Sequence, residues 1–599
     1  MKLTLPQNGK WMQSNRGNIF GSLWGTFNID LSKKGSIRIS PRTIVNVDND
    51  DNAAFTTDPP VAFVRTDADA TDRWWALWAG GCLAKTAGID PTATFTPDGI
   101  TNSPVTSIDY DYTDMVEFNG ALIVAQSVGL ARLSTTWDVG WWNSTLGQSA
   151  LQSGATVKIP HPLHVSKNSR RLLIGDGNKV HAVDVNDNVE TDVVLLPLRY
   201  KVIWIRSGND RNWIGTWDTL GEKARVFEYT ELRENYDNSY EIDSDMAMAC
   251  VVKNGLPYVA SRSGAILAFS GGGFEPVAYF PIYESPDEWK EAAENATYGY
   301  RLVHPNGMDI INGDIHILIR NATSSTIGAD ELETYERFPG GVWALDDSGL
   351  HHKYSLSQYE TGDSITDYGV SLMYDEVGAL LETEKESGVF LAGAEIRAGG
   401  SKGVHTAIFY LNNADDVAKR GFFILPKIHS SEITDVWQTL WVIFKQLENS
   451  TDEIIIKYRK VDDTSLPVVI DTATWTATTT LTTTDTDAAN ISVGDELWIL
   501  TGLGAGAMPH VSVISESGGT YTITLDEAVS GGSSGVCRIL VGNWTKLDSI
   551  STQSINNDKK DLTPDSEWIQ IKVELRGTGR NPEIEKLVLT HYPSLMSEQ

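Results

Sequence analysis

Short apolar runs of strand length recur along the whole chain, and each ends at Gly, Asn, Asp or Ser. Clear examples are 121–125, 172–174 and 315–319. Runs of this length, rich in branched residues and bounded by turn formers, are typical of β-strands. Helix patterns are nearly absent, and the two candidates are the short segments 285–289 and 414–419. The pattern therefore predicts an all-β protein.

Three segments share one local form, in which a strand is followed by a Gly- or Asp-containing turn and a second strand. They are 173–184, 259–269 and 341–352. Repeated radially, such hairpins build the blades of a β-propeller. Their spacing is irregular, so we predict a diverged propeller with insertions over residues 1–425. Stacked β-sandwiches are the alternative, because hairpins alone do not distinguish the two architectures.

The C-terminal part of the chain has a different pattern. Segments 568–575 and 585–592 alternate apolar and polar residues, which predicts strands with one buried and one solvated face. We therefore predict a β-sandwich platform domain over 426–599, with residues 1–45 as a candidate addition to it. The Thr-rich stretch within 466–543 predicts a small β-barrel inserted in the sandwich, because Thr favours strands over helices.

Charge and cysteine content exclude several classes of protein. The formal net charge is -31, and no basic stripe interrupts it. A negative field repels phosphate backbones, so sequence-specific DNA binding is not expected. Cys82, Cys250 and Cys537 are far apart and odd in number, which argues against a disulfide scaffold and a zinc ribbon. No run approaches the ~20 apolar residues of a membrane helix, so membrane insertion is not expected.

Two Gly-containing motifs suggest chemistry, and both lack the context that the chemistry needs. Residues 362–366 read Gly-Asp-Ser-Ile-Thr, like the nucleophile block of GDS-type esterases. No apolar strand precedes this block, and no Asp-x-x-His occurs near the C-terminus. The glycines of 502–506 precede a strand, whereas a phosphate-binding loop requires a helix N-terminus there. We interpret both segments as turns or bulges.

Acidic loops are candidates for calcium binding. The segment 184–190 offers oxygen ligands at alternate positions, but Val189 stands where a calcium loop needs Gly. The segment 48–52 and the pair Asp109 and Asp111 are weaker versions of the same pattern. Asx-rich β-turns explain all three.

The histidine pairs His161/His164 and His351/His352 lack neighbouring Cys or carboxylate ligands at convincing spacing. We therefore predict no catalytic, cofactor-binding or metal-binding residues, no cofactor, and a protein that is not an enzyme. Several tryptophans stand in or near strands, and we predict core positions for them ahead of interface or sugar-stacking positions: Trp74, Trp75, Trp78, Trp141, Trp142, Trp213 and Trp217.

Three segments carry a resemblance to a known family. The opening 25–42, the turns 493–495 and 504–506, and the ending 569–584 are similar to tail proteins of tailed bacteriophages. The predicted architecture resembles the tail nozzle or tail hub of short-tailed phages. The resemblance implies a propeller with β-rich platform domains in a ring, usually sixfold, through which DNA leaves the capsid. It brings no catalytic residues with it.

The expected function is that of a structural virion protein, made in the host cytoplasm and located in the phage tail. Its expected partners are copies of itself in a ring, with a hexamer favoured, adaptor or portal-side tail proteins, tail fibres, and genomic DNA that passes without sequence-specific binding. The alternative is a tail-associated propeller that binds or degrades host-surface glycans, with Asp109 and Asp111 as candidate carboxylates. A third hypothesis is a cellular propeller that serves as an interaction scaffold.

Overall fold

The computed structural model describes residues 2–5, 23–31, 33, 36–41, 43–48, 59–78, 82–98, 114–126, 129–152, 159–280, 303–320, 336, 338–356, 374–383, 390–397, 404–411, 420–429, 436–460, 467–501, 507–529, 534–562, 568–577 and 582–592. The helices predicted at 285–289 and 414–419 lie outside these residues. Within them, no helix has the length and apolar character needed to cross a bilayer. Strands dominate this part of the chain, which confirms the predicted all-β class.

Five short strands open the chain and are shared between two units. They are β1 (Lys2–Leu5), β2 (Gly25–Phe27), β3 (Ile29–Asp30), β4 (Ile37–Ile39) and β5 (Thr43–Asp48). Strands β1, β2 and β4 pair with strands from the C-terminal part and β3 pairs with β4, whereas β5 pairs with the last blade of a propeller.

Six consecutive four-stranded antiparallel sheets follow, each formed by four strands in sequence order. Blades 1 to 3 consist of β6 (Pro60–Thr66), β7 (Arg73–Trp78), β8 (Leu83–Lys85), β9 (Thr96–Pro97); β10 (Met115–Phe118), β11 (Ala121–Ala125), β12 (Leu130–Ser134), β13 (Thr136–Asp138); and β14 (Leu163–Val165), β15 (Leu172–Asp176), β16 (Lys179–Val183), β17 (Val189–Leu195). A π-helical turn at Trp141–Thr145 connects blades 2 and 3.

Blades 4 to 6 consist of β18 (Tyr200–Gly208), β19 (Arg211–Asp218), β20 (Arg225–Tyr229), β21 (Asn238–Glu241); β22 (Ala247–Lys253), β23 (Leu256–Ser261), β24 (Ala265–Phe269), β25 (Phe274–Tyr279); and β26 (Met308–Ile311), β27 (Asp314–Ile319), β28 (Gly341–Asp346), β29 (Gly349–Tyr354). Blade 7 contains β30 (Tyr374–Glu382), β31 (Phe390–Arg397) and β32 (Val404–Leu411), and β5 completes it as its outer strand.

The seven blades built by the described residues form a closed ring. The first strand of each blade lies against the first strand of the next blade. The first strand of blade 7, β30, lies against the first strand of blade 1, β6. At that closing contact the backbones touch, since a Cβ at Gly378 would lie 1.8 Å from the carbonyl oxygen of Pro60. Because β5 is N-terminal to blade 1, blade 7 joins the two ends of the propeller segment. The predicted β-propeller is thus confirmed.

Asn-Gly turns join the first two strands in blades 2, 5 and 6. They are Asn119-Gly120, Asn254-Gly255 and Asn312-Gly313, and all six residues have φ between 51° and 84°. Two consecutive left-handed residues define the type I′ turn, which matches the twist of a hairpin and favours Asn followed by Gly. The three hairpins singled out from the sequence are real, but they are not equivalent. Segments 173–184 and 259–269 contain strands 2 and 3 of their blades, whereas 341–352 contains strands 3 and 4.

The platform begins with β33 (Arg420–Ile424), β34 (Ile428–His429), β35 (Val436–Phe444) and β36 (Glu453–Lys460). The barrel strands follow: β37 (Val468–Ala477), β38 (Thr480–Thr483), β39 (Asp495–Thr501), β40 (Val511–Ser517), β41 (Thr520–Leu525) and β42 (Gly535–Ile550), with a 3₁₀ turn at Thr486–Asn490. The chain returns through β43 (Asn557–Asp561), β44 (Trp568–Arg576) and β45 (Glu583–Tyr592).

Two sheets face each other in the platform. One has the order β3-β4-β45-β35-β43, with β1 also on β45, and the other contains β2-β33-β44-β36-β42. Leucine, isoleucine, valine and phenylalanine side chains of both sheets form one buried core between them. The pairing of β39-β42-β37-β38-β41-β40 closes on itself through the bridge between Glu496 and His510, which produces a small barrel with its own core.

The boundary predicted between propeller and platform differs from the one in the structure. Strand β33, at the end of the predicted propeller range 1–425, pairs with β2 and β44 in the platform. Strands β1 to β4 lie within residues 1–45, the candidate addition to the platform, and they belong to it, whereas β5 is the described strand of the N-terminal segment that joins the propeller. The long strand β42 pairs with barrel strands in its first half and with β36 in its second, so barrel and sandwich share one backbone.

A buried histidine connects the propeller to the platform. His352 on β29 accepts a hydrogen bond at Nδ1 from the backbone N–H of Asn28 (3.0 Å), and its Nε2 lies 2.9 Å from the carbonyl oxygen of Gly340. The ring of Phe27 stacks on it at a centroid distance of 4.9 Å. Both nitrogens of the neutral ring are thus used, one as acceptor and one as donor.

We expect the free energy of unfolding to fall as the pH drops from about 6.5 toward 4. Burial is the main cause that lowers the pKa of His164, His304 and His352 to about 3 and that of His510 to about 4. The unfolded chain protonates these rings near pH 6.5, so it binds more protons than the folded chain in this range.

Asp309 acts in the opposite direction below pH 6, because burial raises its pKa to about 6 and the folded state then holds the extra proton. It offsets only one of the four histidines. Urea denaturation across this pH range measures the effect, and a free energy of unfolding that stays constant between about pH 7 and about pH 5 would contradict it.

Candidate functional site

One face of the platform sheet carries charged side chains that are buried. Five cations lie there on β33, β36 and β44: Arg420, Lys457, Arg459, Lys572 and Arg576. The alternation in 568–575 predicted that the polar side of β44 faces solvent, and this was wrong. Gln570, Lys572 and Glu574 have no exposed surface, because the barrel and a propeller segment cover this side of the strand. We call this set of cations and the acids that contact it the charge layer.

Lys457 and Lys572 stand directly opposite each other on β36 and β44. Like charges in this position repel, and burial strengthens the repulsion. Glu496 from the barrel strand β39 resolves it by accepting hydrogen bonds from both ammonium groups, at 2.9 Å from Lys572. The indole N–H of Trp498 donates a third bond to Glu496 (3.0 Å).

The two arginines are neutralised in the same way. Arg420 and Arg576 are cross-strand partners on β33 and β44. The Oε1 atom of Glu574 lies 2.6 Å from the Nε atom of each guanidinium, and its Oε2 lies 2.6 Å from Lys457. Glu527 of the barrel pairs with the remaining edge of Arg576. A single platform carboxylate therefore contacts three cations, and the barrel supplies the further acids.

The fourth acid comes from the propeller. Glu336 stands between β27 and β28 in sequence and is fully buried in the charge layer. It contacts Arg459 at 3.1 Å and Lys572 at 3.3 Å, and it accepts a hydrogen bond from the indole of Trp544. The Arg459 guanidinium lies 4.5 Å from the ring centroid of Trp544, a cation–π contact. The charge layer thus connects propeller, sandwich and barrel.

Two carboxylates of the charge layer, Glu496 and Glu574, are stabilised in the ionised form. Burial opposes ionisation most strongly, but Lys457 beside Glu496 and Arg420 beside Glu574 outweigh it with the other cations and hold the pKa of both carboxyls well below their usual range. Burial lowers the pKa of Lys457, and the two glutamates act against that shift. A charge that is buried away from water is stable only when an opposite charge and hydrogen bonds compensate it.

Within the described residues, Glu496, His510 and Glu574 place one ligand atom each within 4.8 Å of one another. This donor set suits a divalent cation in type. The Lys457 ammonium, however, contacts both carboxylates and already supplies a positive charge between them. His510 is held by Asp526, with Nδ1 3.2 Å from Oδ2. The geometry therefore favours a structural ion network.

Glu574→Gln is expected to destabilise the protein by about 3–5 kcal/mol, because it removes one charge from a buried set and leaves cations uncompensated. Chemical denaturation of the purified variant measures this change. The matched control is Asp72→Asn, which breaks the exposed Arg65–Asp72 pair and should leave the free energy of unfolding nearly unchanged. Equal effects of the two substitutions would show that the charge layer does not hold the units together.

A second polar cluster crosses the centre of the propeller. Asn306, at the start of blade 6, donates from Nδ2 to Asp114 Oδ1 and to the carbonyl oxygen of Val61, both at 3.0 Å. Its Oδ1 accepts from Arg206 of blade 4 at 2.8 Å, and Asp114 also accepts from the backbone N–H of Leu163 at 2.9 Å. Blades 2, 4 and 6 are not neighbours, so bonds among them must span the axis. We call this cluster the axial bridge.

Replacing Asn306 with Ala should cost about 2–3 kcal/mol, because it removes one donor from the buried Asp114 side chain, the side-chain donor to the Val61 carbonyl and an acceptor of Arg206. Thermal or urea unfolding measures the loss. Asn238→Ala is the matched control: this exposed side chain on β21 donates one bond, to Glu228 (3.1 Å), and its loss should cost below about 1 kcal/mol. If the Asn306 variant is as stable as the control variant, the hydrogen bonds of the axial bridge do not stabilise the fold.

A serine and a histidine approach each other between blades 3 and 4. His164 Nε2 lies 2.7 Å from Ser207 Oγ, the spacing of a nucleophile and its base. In a catalytic pair the serine hydroxyl donates its proton to the histidine, whereas here the histidine donates to the serine. Ser207 donates to Asn212 Oδ1 (2.6 Å), whose amide orientation is fixed by its bond to Glu231, so His164 must donate to Ser207. The pair is therefore a structural contact between blades.

The other residues that the sequence suggested as metal ligands or catalytic groups either lie apart from one another or make other contacts. Asp184 accepts from the backbone N–H groups of residues 186 and 188, as in an Asx turn, and Asp187 pairs with Arg132 at 2.9 Å. His161 contacts Gly175 rather than His164. His351 and His352 are buried and contact backbone carbonyls. Segments 362–366 and 502–506, residues 49–52, and the pair Asp109 and Asp111 lie outside the described residues.

The tryptophans follow the core prediction closely. Six of the seven named are buried, and Trp217 is half-buried. The charge layer and the axial bridge were missed by sequence reasoning. The available signal was the position of Lys and Arg within strands β36 and β44, and for β44 these charges were predicted to face solvent.

No family model and no curated protein matches this chain. Among solved structures, it is similar to BBS1N in complex with ARL6DN, with a TM-score of 0.35 and 11% identity over 63% of this chain and 98% of that one. The WD40 propeller domain of Doa1 gives 0.33 and 11%, over 61% and 96%. An exo-β-1,3-galactanase from Phanerochaete chrysosporium gives 0.27 and 10%, over 92% and 100%. Likeness at this level carries no functional argument, and the fold assignment rests on strand pairing.

Proposed function

We propose that this chain is a structural subunit of a bacteriophage tail, in which copies form a nozzle or tube ring that conducts DNA and docks other tail parts. The observation that carries the proposal is the use of its buried polar groups. The charge layer, the axial bridge and the Ser207–His164 pair are all engaged in contacts between blades or units. None of these three groups presents a reactive side chain to a substrate. The resemblance of segments 25–42 and 569–584 to phage tail proteins supports the same role.

The axial bridge constrains how DNA would pass. Side chains span the centre of the propeller, so the conduit in this proposal is the axis of the subunit ring. The net charge of -31 suits such a conduit, because an acidic lining gives DNA few attractive contacts. In the assembled tail the ring, with six copies favoured, contacts adaptor or portal-side proteins on one side and tail fibres around it.

Size-exclusion chromatography with light scattering, together with negative-stain imaging, tests the ring. We expect a closed assembly of defined mass at high protein concentration. A strict monomer without rings in the images would overturn the proposal. Head-to-tail contacts give rings when the rotation between copies closes and open filaments when it does not, so this proposal expects rings in the images and no filaments.

The alternative, a glycan-binding or glycan-degrading propeller, predicts binding on a glycan array and release of sugar in a reducing-end assay. The structural role expects neither binding nor release. Specific binding with release of reducing ends would replace the structural role with the enzymatic one.

A further inference from the structure

Four Asn-Gly pairs lie in the part of the chain that the structure describes. They are Asn119-Gly120, Asn254-Gly255, Asn306-Gly307 and Asn312-Gly313. An Asn that precedes Gly can modify itself, because the backbone nitrogen of Gly can attack the carboxamide carbon, Cγ, of the Asn side chain. Gly favours this attack, since it has no side chain in the way and its backbone is the most adaptable. The four pairs share the same reacting atoms, so the fold sets the differences between them.

The reaction has two steps and consumes only water. In the first step the bond between the Gly nitrogen and Cγ forms, the Cγ–Nδ2 bond breaks, and ammonia leaves with the proton that the Gly nitrogen carried. The product is a five-membered cyclic imide. In the second step water opens one of the two C–N bonds of the imide, which leaves aspartate or its β-linked isomer in place of Asn. A neutral amide has then become a carboxylate.

Two groups must be free before this ring can close. The Asn side chain must swing over the following peptide bond, and the Gly N–H must give up its proton. A hydrogen bond at either group has to break first, and breaking it costs free energy. Hydrogen bonds at both groups are therefore expected to slow the reaction by about tenfold.

The pair in blade 5 has both groups free. Asn254 lies in the turn between β22 and β23, and its side chain is exposed. Among the described residues, neither the Asn254 side chain nor the Gly255 N–H has a hydrogen-bond partner. A Cβ at Gly255 would lie 1.8 Å from Oδ1 of Asn209, which is the end of an exposed side chain that can rotate away.

The pair in the equivalent turn of blade 2 is held at both groups. Asn119 is exposed as well, but its Nδ2 donates to the carbonyl oxygen of Val185 in blade 3 at 3.1 Å. The Gly120 N–H donates to Glu117 Oε1 at 2.7 Å. Both hydrogen bonds must break before the ring can close.

The two pairs of blade 6 are also held. The side chain of Asn306 makes the three hydrogen bonds of the axial bridge, and the Gly307 N–H donates to the carbonyl oxygen of His304 at 2.7 Å. Asn312 is intermediate, since its backbone N–H donates to Glu382 Oε1 at 2.8 Å. The expected order of reaction is Asn254, Asn312, Asn119 and then Asn306.

We propose that Asn254 is a self-modification site of the folded protein, and that it deamidates faster than the other three described Asn-Gly pairs. The β-linked product adds one atom to the backbone of a two-residue turn, which the type I′ conformation does not accommodate. A Cβ at Gly208 in blade 4 would lie 2.8 Å from the carbonyl oxygen of Gly255, so the turns of the two blades touch here. Deamidation of Asn254 therefore loosens the contact between blades 4 and 5 with time.

The test incubates the full-length protein at mildly alkaline pH and follows the four pairs by peptide mapping with mass spectrometry, which detects the exchange of an amide for a carboxyl group. We expect Asn254 to convert at least about tenfold faster than Asn119, and Asn306 to stay unmodified over the same period. A folded protein in which Asn119 or Asn306 converts as fast as Asn254 would overturn the proposal.

The same measurement in denaturant separates the effect of the fold from that of the sequence. Unfolding breaks the hydrogen bonds that hold Asn119 and Asn306, so the four pairs should then convert at similar rates. If the order seen in the folded protein persists in the unfolded chain, neighbouring residues set the rates and the proposal is wrong.

A variant tests the protection directly. Glu117→Ala removes the acceptor of the Gly120 N–H, so Asn119 should convert at least about threefold faster while Asn254 is unchanged. The matched control is Glu516→Ala, because Glu516 Oε1 accepts from the Gly519 N–H at 2.7 Å in a barrel turn without Asn. This control should leave Asn119 at its wild-type rate.

Equal thermal unfolding of the two variants shows that the fold is intact. If Asn119 then reacts no faster in Glu117→Ala than in wild type, hydrogen bonds at the Gly N–H do not protect these pairs, and the physical basis of the proposal is lost.

Discussion

Five cations on one face of a β-sheet can be buried only if acids are brought to them, and the rest of the molecule is arranged around that requirement. The platform sheet provides one of these acids, Glu574. The barrel provides Glu496 and Glu527, and the propeller provides Glu336. Separated from those partners, the sheet face would hold uncompensated charge at a large free-energy penalty. The three units therefore form one cooperative body around the charge layer.

The same principle applies at smaller scale inside the propeller. Apolar side chains of different blades pack against one another in shared clusters. A few polar groups also join blades, because a donor on one blade meets an acceptor on another, as Asn306 does with Asp114. Matched polar groups cost little and select one arrangement, whereas apolar packing tolerates several. In the proposed structural role, this selection would keep the surfaces of the subunit in a fixed geometry.

Much of the fold could be predicted from the sequence, and the charge layer could not. Apolar runs and turn residues reveal hairpins such as 173–184, and the repeated Asn-Gly turns at 119, 254 and 312 mark equivalent positions in the blades. Periodicity shows that β44 has two faces but not what covers each of them. Its polar face is covered by acids that lie at positions 336 and 496, and local patterns carry no signal for partners so distant. The sequence likewise could not show which unit each N-terminal strand joins, because that depends on pairing partners hundreds of residues away.

Closure of blade 7 by strand β5 has a kinetic consequence for biosynthesis. The ribosome makes β5 about 360 residues before its partner β32, which lies at positions 404–411. At typical translation rates the strand waits roughly 20 to 70 s with its backbone groups unpaired. Strands β1 and β4 wait longer still, because their partner β45 emerges more than 540 residues after them. The nascent chain thus carries open strand edges throughout these intervals, which are the ones when holding chaperones matter most.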